Sequence, residues 1–401
     1  MRKAKGELPQ IPMALELLHF FINGTMVIFA AFFQLYLQDI GMDTVEIGWL
    51  LAAGPLISLL AHPFWKYWTD RKQSAKPVLL LMLAGLLVSS YLLFSVSTYR
   101  MLYWFLILFY FFQVSLLAQN NTFTLDYTSA KGQGFRKFRI WGSIGWAVTA
   151  LAAGPLIDLT QPCGLSALLI PLILLALGAC ALIPAQRREV GTPWLHAREL
   201  IAVVRNKYFM TFLLLGLLVA IPNTMNGMFM PIFMLDLGGS KLYVGLAVFL
   251  STIFEAAVFV LLRRFLRRKL THLLACLTLV SLLFALRWYL MSIATEPLQI
   301  ILIQLLHSVT FGGFFYVGSQ LTGLFLPRPY RSSGQAVYAL FWSGLSGVFA
   351  GLLGGWLFLN FGGITLYKIC LMFTLCGLIG FGVMWYHLHR HGYSPLRSYE
   401  N

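Results

Sequence analysis

The chain has 401 residues, of which 59% are hydrophobic and only 11% are charged, and its formal net charge is +15. A soluble domain usually contains about 45–50% apolar and roughly 25% charged residues. Charge this sparse cannot cover the surface of a water-soluble protein of this length. The composition therefore excludes a soluble enzyme, a nucleic-acid-binding protein and a disordered scaffold, and it predicts an integral membrane protein.

Twelve apolar runs follow one another along the chain, and each is long enough for a helix of about 20 residues that spans a bilayer. They cover residues 13–37, 45–68, 77–97, 100–124, 138–160, 163–184, 209–235, 241–265, 270–294, 297–322, 332–360 and 364–388. Alternating segments of about ten residues, which are typical of membrane β-barrels, do not occur in the sequence. The pattern predicts an all-α membrane protein with twelve transmembrane helices.

The distribution of Lys and Arg predicts how the chain lies in the membrane. Of the 29 Lys and Arg residues, 25 lie in the N-terminus, in the connections that follow even-numbered spans, or in the C-terminal tail. Loops rich in Lys and Arg stay in the cytoplasm. We therefore expect a multi-pass protein of a bacterial-type inner membrane with both termini in the cytoplasm.

A short motif occurs twice in the chain. Asp39-Ile40-Gly41 and then Ile47-Gly48 follow the first span, and Asp236-Leu237-Gly238 and then Val244-Gly245 follow the seventh, at an offset of 197 residues. The offset predicts that half of the chain repeats the other half in the same orientation. Parallel six-helix repeats are typical of transporters that bind substrate between the halves. We predict a six-helix half at 1–184, a cytoplasmic linker at 185–208 and a second six-helix half at 209–401.

Twelve spans in two halves, joined by a basic central loop, resemble the major facilitator superfamily. The connection between the second and third spans supports this resemblance, because Asp70 and Arg71 match the acidic and basic pair that the family carries there. Lys66 departs from the pattern, since it occupies a position where Gly is usual. The resemblance implies alternating access between the two halves, with Asp70 and Arg71 in a conformational gate.

The segment from Lys137 to Trp146 in the fifth span, KFRIWGSIGW, resembles the lactose permease branch of that superfamily and its phenylpropionate permease relatives. The resemblance implies that Arg139 binds sugar hydroxyls and that Trp146 stacks on the sugar ring. Each residue also has a structural interpretation. An Arg near the edge of a span can extend to the interface, and a Trp in a span often serves packing.

The second half agrees with the same branch through Glu255, Arg287 and His307, the last two at the branch's spacing of 20 residues. The resemblance implies that these three residues couple proton movement to transport, with Glu255 and His307 titrating and Arg287 tuning them. An ionisable group inside a span costs roughly 2.5–3.5 kcal/mol on insertion scales, so each needs a partner or a cavity. For Arg287 the nearest acid in family geometry is Glu255, whereas His307 can also be satisfied by its neighbours.

Two positions depart from the lactose permease pattern. The acid that pairs with the substrate-binding Arg falls on Asn121, and the proton-carrying carboxylate three residues after the His falls on Thr310. Asn121 remains a candidate substrate ligand with Glu255, because amide and carboxylate oxygens suit a neutral polyol, although amides also join helices. Glu16 and His19 open the first span, and we expect them to lie in water at headgroup level.

The sequence thus predicts a secondary transporter that moves a small polar solute by proton symport. The first candidate for the solute is a sugar or oligosaccharide. The alternatives are an aromatic acid or nucleoside permease, drug or metabolite efflux by proton antiport, and a receptor that binds without transport. No Walker, HExxH or GxSxG motif occurs, so we expect neither an enzyme nor a cofactor nor a metal site. The expected partners are a small-molecule substrate, protons and the lipid bilayer, without nucleic acid, and the expected state is a monomer.

Overall fold

The computed structural model describes residues 10–96, 98–131, 134–160, 164–186, 197–266 and 268–393, and every regular element within these ranges is helical. The helices are α1 (Gln10–Asp39), α2 (Thr44–Lys72), α3 (Ala75–Phe94), α4 (Tyr99–Gln113), α5 (Leu116–Lys131), α6 (Phe135–Leu159), α7 (Gly164–Leu182), α8 (Ala197–Arg205), α9 (Lys207–Asp236), α10 (Lys241–Phe265), α11 (Leu270–Ser292), α12 (Pro297–Phe325), α13 (Arg331–Ala339) and α14 (Ser346–His391). A 3-10 turn at Arg328–Tyr330 precedes α13, and a π-helical turn at Leu340–Leu345 joins α13 to α14.

Eleven helical segments of the described ranges are long and apolar enough to cross a membrane, and the last of them, Arg328–His391, has 64 residues. A straight helix of that length would extend about 96 Å, roughly three times the thickness of the hydrocarbon core. The chain instead bends at Gly362, where φ is 75°, a value that glycine adopts without a Cβ clash. This segment therefore holds the last two predicted spans, and the all-α class with twelve spans is confirmed.

The two copies of the repeated motif end α1 and α9 with the same backbone turn. Gly41 and Gly238 adopt φ values of 92° and 84°. In each copy the glycine amide donates to the carbonyl three residues earlier, at 2.9 and 2.8 Å, and the next amide donates to the carbonyl five residues before it, at 3.1 and 2.9 Å. This pair of bonds is the Schellman motif, which satisfies carbonyls at a helix end. The repeat therefore encodes one turn geometry twice.

The segment predicted as the linker contains the short helix α8. Glu199 of α8 accepts a hydrogen bond from the Ser333 hydroxyl at 2.6 Å. At the start of α9, Asn206 accepts from the amide of Phe209 at 3.0 Å and donates to the carbonyl of Phe325 at 2.9 Å. The cap satisfies one amide that the helix start leaves without an intrahelical partner, and it also fixes α9 to the end of α12.

The chain divides into two compact units. The first contains Met1–Tyr36, Ala53–Thr192 and Val244–Phe249, and the second contains Leu37–Ala52, Pro193–Tyr243 and Leu250–Asn401. Each unit is drawn mainly from one half of the sequence. The two short segments that depart from this division each contain the second part of the repeated motif, Ile47-Gly48 in one and Val244-Gly245 in the other.

Gly48 and Gly245 bring helices together at backbone distance inside these units. A Cβ at Gly48 would overlap the carbonyl oxygen of Gly351 in the second unit, and a Cβ at Gly245 would overlap the carbonyl oxygen of Ala150 in the first. Small residues permit such close helix contacts in membrane proteins. The start of α2 thus packs on α14, and the start of α10 packs on α6.

We expect Gly48→Ala and Gly245→Ala each to destabilise the protein, because the added methyl group has no space and overpacking costs about 1–3 kcal/mol. The matched control is Gly227→Ala in α9, where nothing lies within 4 Å of an added Cβ. That control should keep or raise stability, since Ala favours helix over Gly. Thermal unfolding of the purified protein in detergent measures the difference, and equal midpoints for all three variants would contradict it.

Candidate functional site

In the first unit, Arg139 and Trp146 lie on one face of α6. They are seven residues apart, which is about 10 Å along the helix axis and nearly two full turns. The Arg139 side chain is exposed, and its guanidinium makes no hydrogen bond to any residue that the structure describes. Trp146 is half-buried. The predicted pair therefore combines an unused planar donor with a partly accessible indole on the same helix face.

Asn121 lies on α5, which contacts α6, and its side chain is half-buried. Within the described ranges its amide makes no hydrogen bond, whereas the neighbouring Asn120 is fully buried and bonded to His19. Asn121 thus retains both its donors and its acceptor for a ligand, whereas Asn120 uses its amide nitrogen and leaves only a buried Oδ1 without a partner among the described residues.

The expectation that His19 lies in headgroup water is wrong. His19 is 1% exposed, with Nε2 at 2.8 Å from the Thr124 hydroxyl and Nδ1 at 3.2 Å from the Asn120 amide nitrogen. The Thr124 hydroxyl donates to the Asn120 carbonyl, so it accepts from Nε2–H of a neutral imidazole. The reason is the packing of α1, which turns the imidazole toward Thr124 and Asn120 of α5 and the ring of Phe135 at the start of α6. Glu16 is half-buried and binds Lys137 at 3.1 Å.

In the second unit, Arg287 is fully buried and is held by a chain of neutral polar groups. Its Nη2 donates to Gln304 at 2.5 Å, and the Gln304 amide donates to the side-chain oxygen of Asn226 at 3.2 Å. Tyr367 donates to the same Asn226 oxygen at 3.2 Å. The guanidinium also lies 4.5 Å from the ring centroid of Trp288, a cation–π distance.

The expected ion pair between Arg287 and Glu255 does not form in this structure, because Gln304 takes the place of the acid. Nε and Nη1 of Arg287 have no hydrogen-bond partner among the described residues. A buried donor without an acceptor costs roughly 1–3 kcal/mol. The cation is thus held in place but only partly satisfied.

Glu255 lies on α10 and is half-buried against α12. The Ser308 hydroxyl donates to the Ser251 carbonyl at 2.8 Å, and one turn further along both helices the Glu255 side chain lies against Gly312. The contact runs in parallel along both helices, since each step advances four residues. Glu255 is therefore placed one turn beyond His307 along the α10–α12 contact.

His307 is half-buried on α12 and stacks on Phe311 at 5.1 Å between ring centroids. Its Nδ1 is buried and has no hydrogen-bond partner within the described part of the chain. Gln304, which accepts a hydrogen bond from Arg287, lies three residues before His307 on α12, so the bonded amide and the imidazole are about one helical turn apart. The structure thus brings together Arg287 and His307, with Glu255 on the adjoining helix.

Asp70 and Arg71 lie in the last turn of α2, where Asp70 is half-buried and Arg71 is exposed. Arg71 donates to the hydroxyl of Tyr67 on the same helix at 3.2 Å. This i,i+4 bond holds the Arg71 side chain along α2, and the predicted gate function of the pair remains a prediction.

The sequence interpretation missed Gln304, Asn226 and Tyr367 as partners of Arg287. The signal was present, because a buried amide in an apolar span needs a partner, and each amide sits in a long apolar run. Gln304 is also only three residues before the candidate His307. The rotation of each helix about its own axis, which turns these side chains toward one another, could not be predicted from the sequence.

Residues 13–369 match the sequence model of the family described as MFS_1 like family. Maltose permease from Geobacillus stearothermophilus is 25% identical over 361 residues, covering 88% of this chain and 89% of that protein. Uncharacterized transporter YwbF from Bacillus subtilis (strain 168) is 23% identical over 350 residues, covering 85% and 84%. The crystal structure of nucleoside transporter NupG superposes with a TM-score of 0.79 at 16% identity, covering 94% of this chain and 99% of that one, which shows the shared fold.

We expect Gln304→Leu to destabilise the protein by about 1.5–3 kcal/mol, because it removes a hydrogen bond to a buried charge. Arg287→Met removes the charge itself, so Gln304→Leu should cost much less in the Arg287→Met background. The double-mutant cycle, measured by thermal unfolding, isolates the coupling between the two side chains. Additive effects would show that the Gln304 amide does not stabilise the guanidinium.

Proposed function

Because this chain belongs to the MFS_1 like family and is a membrane transporter of the major facilitator type, we propose that it moves a sugar or oligosaccharide by proton symport. Within the superfamily, we place the chain in the lactose permease-like or phenylpropionate permease-like branch. The six-helix halves 1–184 and 209–401 would alternate access around the linker 185–208. Both termini would face the cytoplasm, in line with the 25 of 29 Lys and Arg residues that the positive-inside rule assigns there.

The observation that carries the substrate proposal is the set of unused polar groups in the first unit. Arg139 and Asn121 make no hydrogen bonds within the described ranges, and Trp146 lies on the Arg139 face of α6. A guanidinium and an amide can bind several hydroxyls, while an indole face stacks on a pyranose ring. The relative named maltose permease, similar along most of both chains, supports a sugar as the first candidate.

The proton proposal rests on the second unit. Glu255 is half-buried within α10, and His307 has a buried nitrogen without a hydrogen-bond partner among the described residues. Arg287 is a buried cation that forms no ion pair with an acidic residue of the described ranges. Ionisable residues inside spans mark ion and proton pathways in transporters. Thr310 cannot carry a proton, so Glu255 takes that role in the proposed mechanism. His307 relays the proton, Arg287 tunes both groups, and Asp70 and Arg71 act as a conformational gate.

An aromatic acid or a nucleoside is the second candidate, because the Trp146 indole also stacks on an aromatic ring. The two candidates differ in charge and in hydroxyl count. An anionic aromatic compound would be repelled by an ionised Glu255 and would depend more on Arg139, whereas a neutral sugar would use the acceptors of Asn121 and Glu255. Direct binding of maltose, uridine and phenylpropionate to the purified protein separates these classes.

We expect Arg139→Lys to weaken sugar binding at least tenfold, because the charge remains but the planar fork of donors is lost. If stacking is the role of Trp146, Trp146→Phe should be mild and Trp146→Ala severe. The matched control is Arg136→Lys, one turn earlier on α6 and also exposed, which should bind like the wild type. Calorimetry with maltose tests the series, and wild-type affinity in all Arg139 and Trp146 variants would remove the sugar proposal.

We expect Glu255→Gln to abolish accumulation of substrate driven by a pH gradient, while exchange across the membrane continues, because the amide cannot titrate. The control is Glu46→Gln at the start of α2, where Gln can still accept the cap hydrogen bond from Asp43. Uptake into proteoliposomes, with and without a pH gradient, measures both activities. Uphill accumulation at the wild-type level would exclude Glu255 as the proton site.

A further inference from the structure

A groove of about 490 Å³ lies between the beginning of α9 and the end of α14, in the second unit. Its walls include Thr211 and Leu215 of α9 and Val383 of α14. Gly380 closes the inner end, because a Cβ there would overlap the Leu215 side chain. From Lys207 to Leu215 the groove extends about 12 Å along the helix axis. Its size is within the range of about 300–1,000 Å³ that small-molecule sites have.

The groove opens toward the hydrocarbon of the bilayer. Val383, which lines it, belongs to a row of exposed apolar side chains at successive turns of α14. The row consists of Met372, Leu375, Ile379, Val383 and Tyr386. Leu214, exposed on α9, lies beside the other wall. Exposed apolar residues in this pattern face lipid in a membrane protein, so an occupant of the groove reaches it from the bilayer.

The outer end of the groove, at the first turn of α9 and the last turns of α14, is basic. Lys207 and His387 line it, and none of its lining residues is acidic. The Lys207 ammonium lies 5.3 Å from the ring centroid of Tyr208, and the guanidinium of Arg390 lies 5.1 Å from that of Tyr386. Tyrosines and extended cations of this kind mark the membrane interface.

We propose that this groove binds an anionic phospholipid, with one acyl chain between α9 and α14 and the phosphate at Lys207 and His387. A basic mouth above an apolar channel matches the two chemistries of such a lipid along one axis, and basic pockets between transmembrane helices bind anionic headgroups. The site is separate from the groups proposed for transport, and it does not depend on which solute is carried.

Native mass spectrometry of the purified protein with phosphatidylglycerol and phosphatidylethanolamine tests the proposal. A cation near an anionic membrane surface contributes about fivefold in affinity, so phosphatidylglycerol should bind at least about fivefold more tightly. Lys207→Gln combined with His387→Gln should remove this preference. Thr211→Phe, which fills the groove, should weaken binding of both lipids. Equal affinity of the two lipids for the wild type would overturn the proposal.

Two control variants make the same kinds of substitution at residues that do not line the groove. Lys368→Gln removes an exposed charge from α14 shortly after the bend at Gly362, about 28 Å along the helix axis from His387. Leu214→Phe enlarges an exposed residue of α9 that does not line the groove. Both should bind phosphatidylglycerol like the wild type, and a loss as large as that of the groove variants would overturn the assignment. Displacement of the lipid by millimolar inorganic phosphate would also overturn it, since the mouth would then bind free anions without the acyl chain.

Discussion

Hydrocarbon offers no hydrogen-bond partner, so each polar group on a spanning helix has to find one inside the protein. The guanidinium of Arg287 has the greatest need of acceptors inside the protein, because it is permanently charged and fully buried. Four helices of the second unit contribute to the hydrogen-bonded chain around it: α11 carries Arg287, α12 carries Gln304, α9 carries Asn226 and α14 carries Tyr367. Because the acceptors are neutral, the positive charge is not cancelled, and the amide that binds it lies about one helical turn before His307 on α12. The packing of the unit and its electrostatics therefore come from the same side chains.

The repeated motif supplies a second constraint, at the ends of the helices. Both copies form the same glycine turn, and both place a second glycine against a backbone carbonyl. The copies have diverged in their polar contacts. Thr44 donates to the Gly355 carbonyl at 3.1 Å, whereas Lys241, its counterpart in the other copy, binds Asp39 at 3.1 Å. Backbone packing is thus the shared feature of the two copies, and the side-chain bonds are specific to each.

How much the sequence predicts depends on whether the signal is local. The spans follow from apolar runs, and the break at Gly362 falls in the gap between the two last predicted spans because only glycine tolerates that conformation. Partners such as Gln304 for Arg287, or Thr124 for His19, depend on the rotation of helices about their axes. A helix that is apolar on all sides carries no polar stripe from which this rotation can be inferred. The sequence therefore identifies ionisable and polar candidates within the spans, but it does not predict which side chains they contact.

The two arginines singled out from the sequence show why the partners matter. An arginine has five N–H donors in a fixed plane. Arg139 is exposed and makes no hydrogen bond within the described ranges, so a ligand can bind it without breaking a hydrogen bond of the protein. Arg287 is buried and already donates to Gln304, but its Nε and Nη1 have no described acceptor. A new acceptor at those two nitrogens would remove a desolvation cost of roughly 1–3 kcal/mol per donor. In the proposed mechanism this difference assigns Arg139 to the solute, whose arrival needs an accessible group. It assigns Arg287 to coupling, where a fixed buried charge with two unpaired donors responds to a change of charge on a neighbouring group.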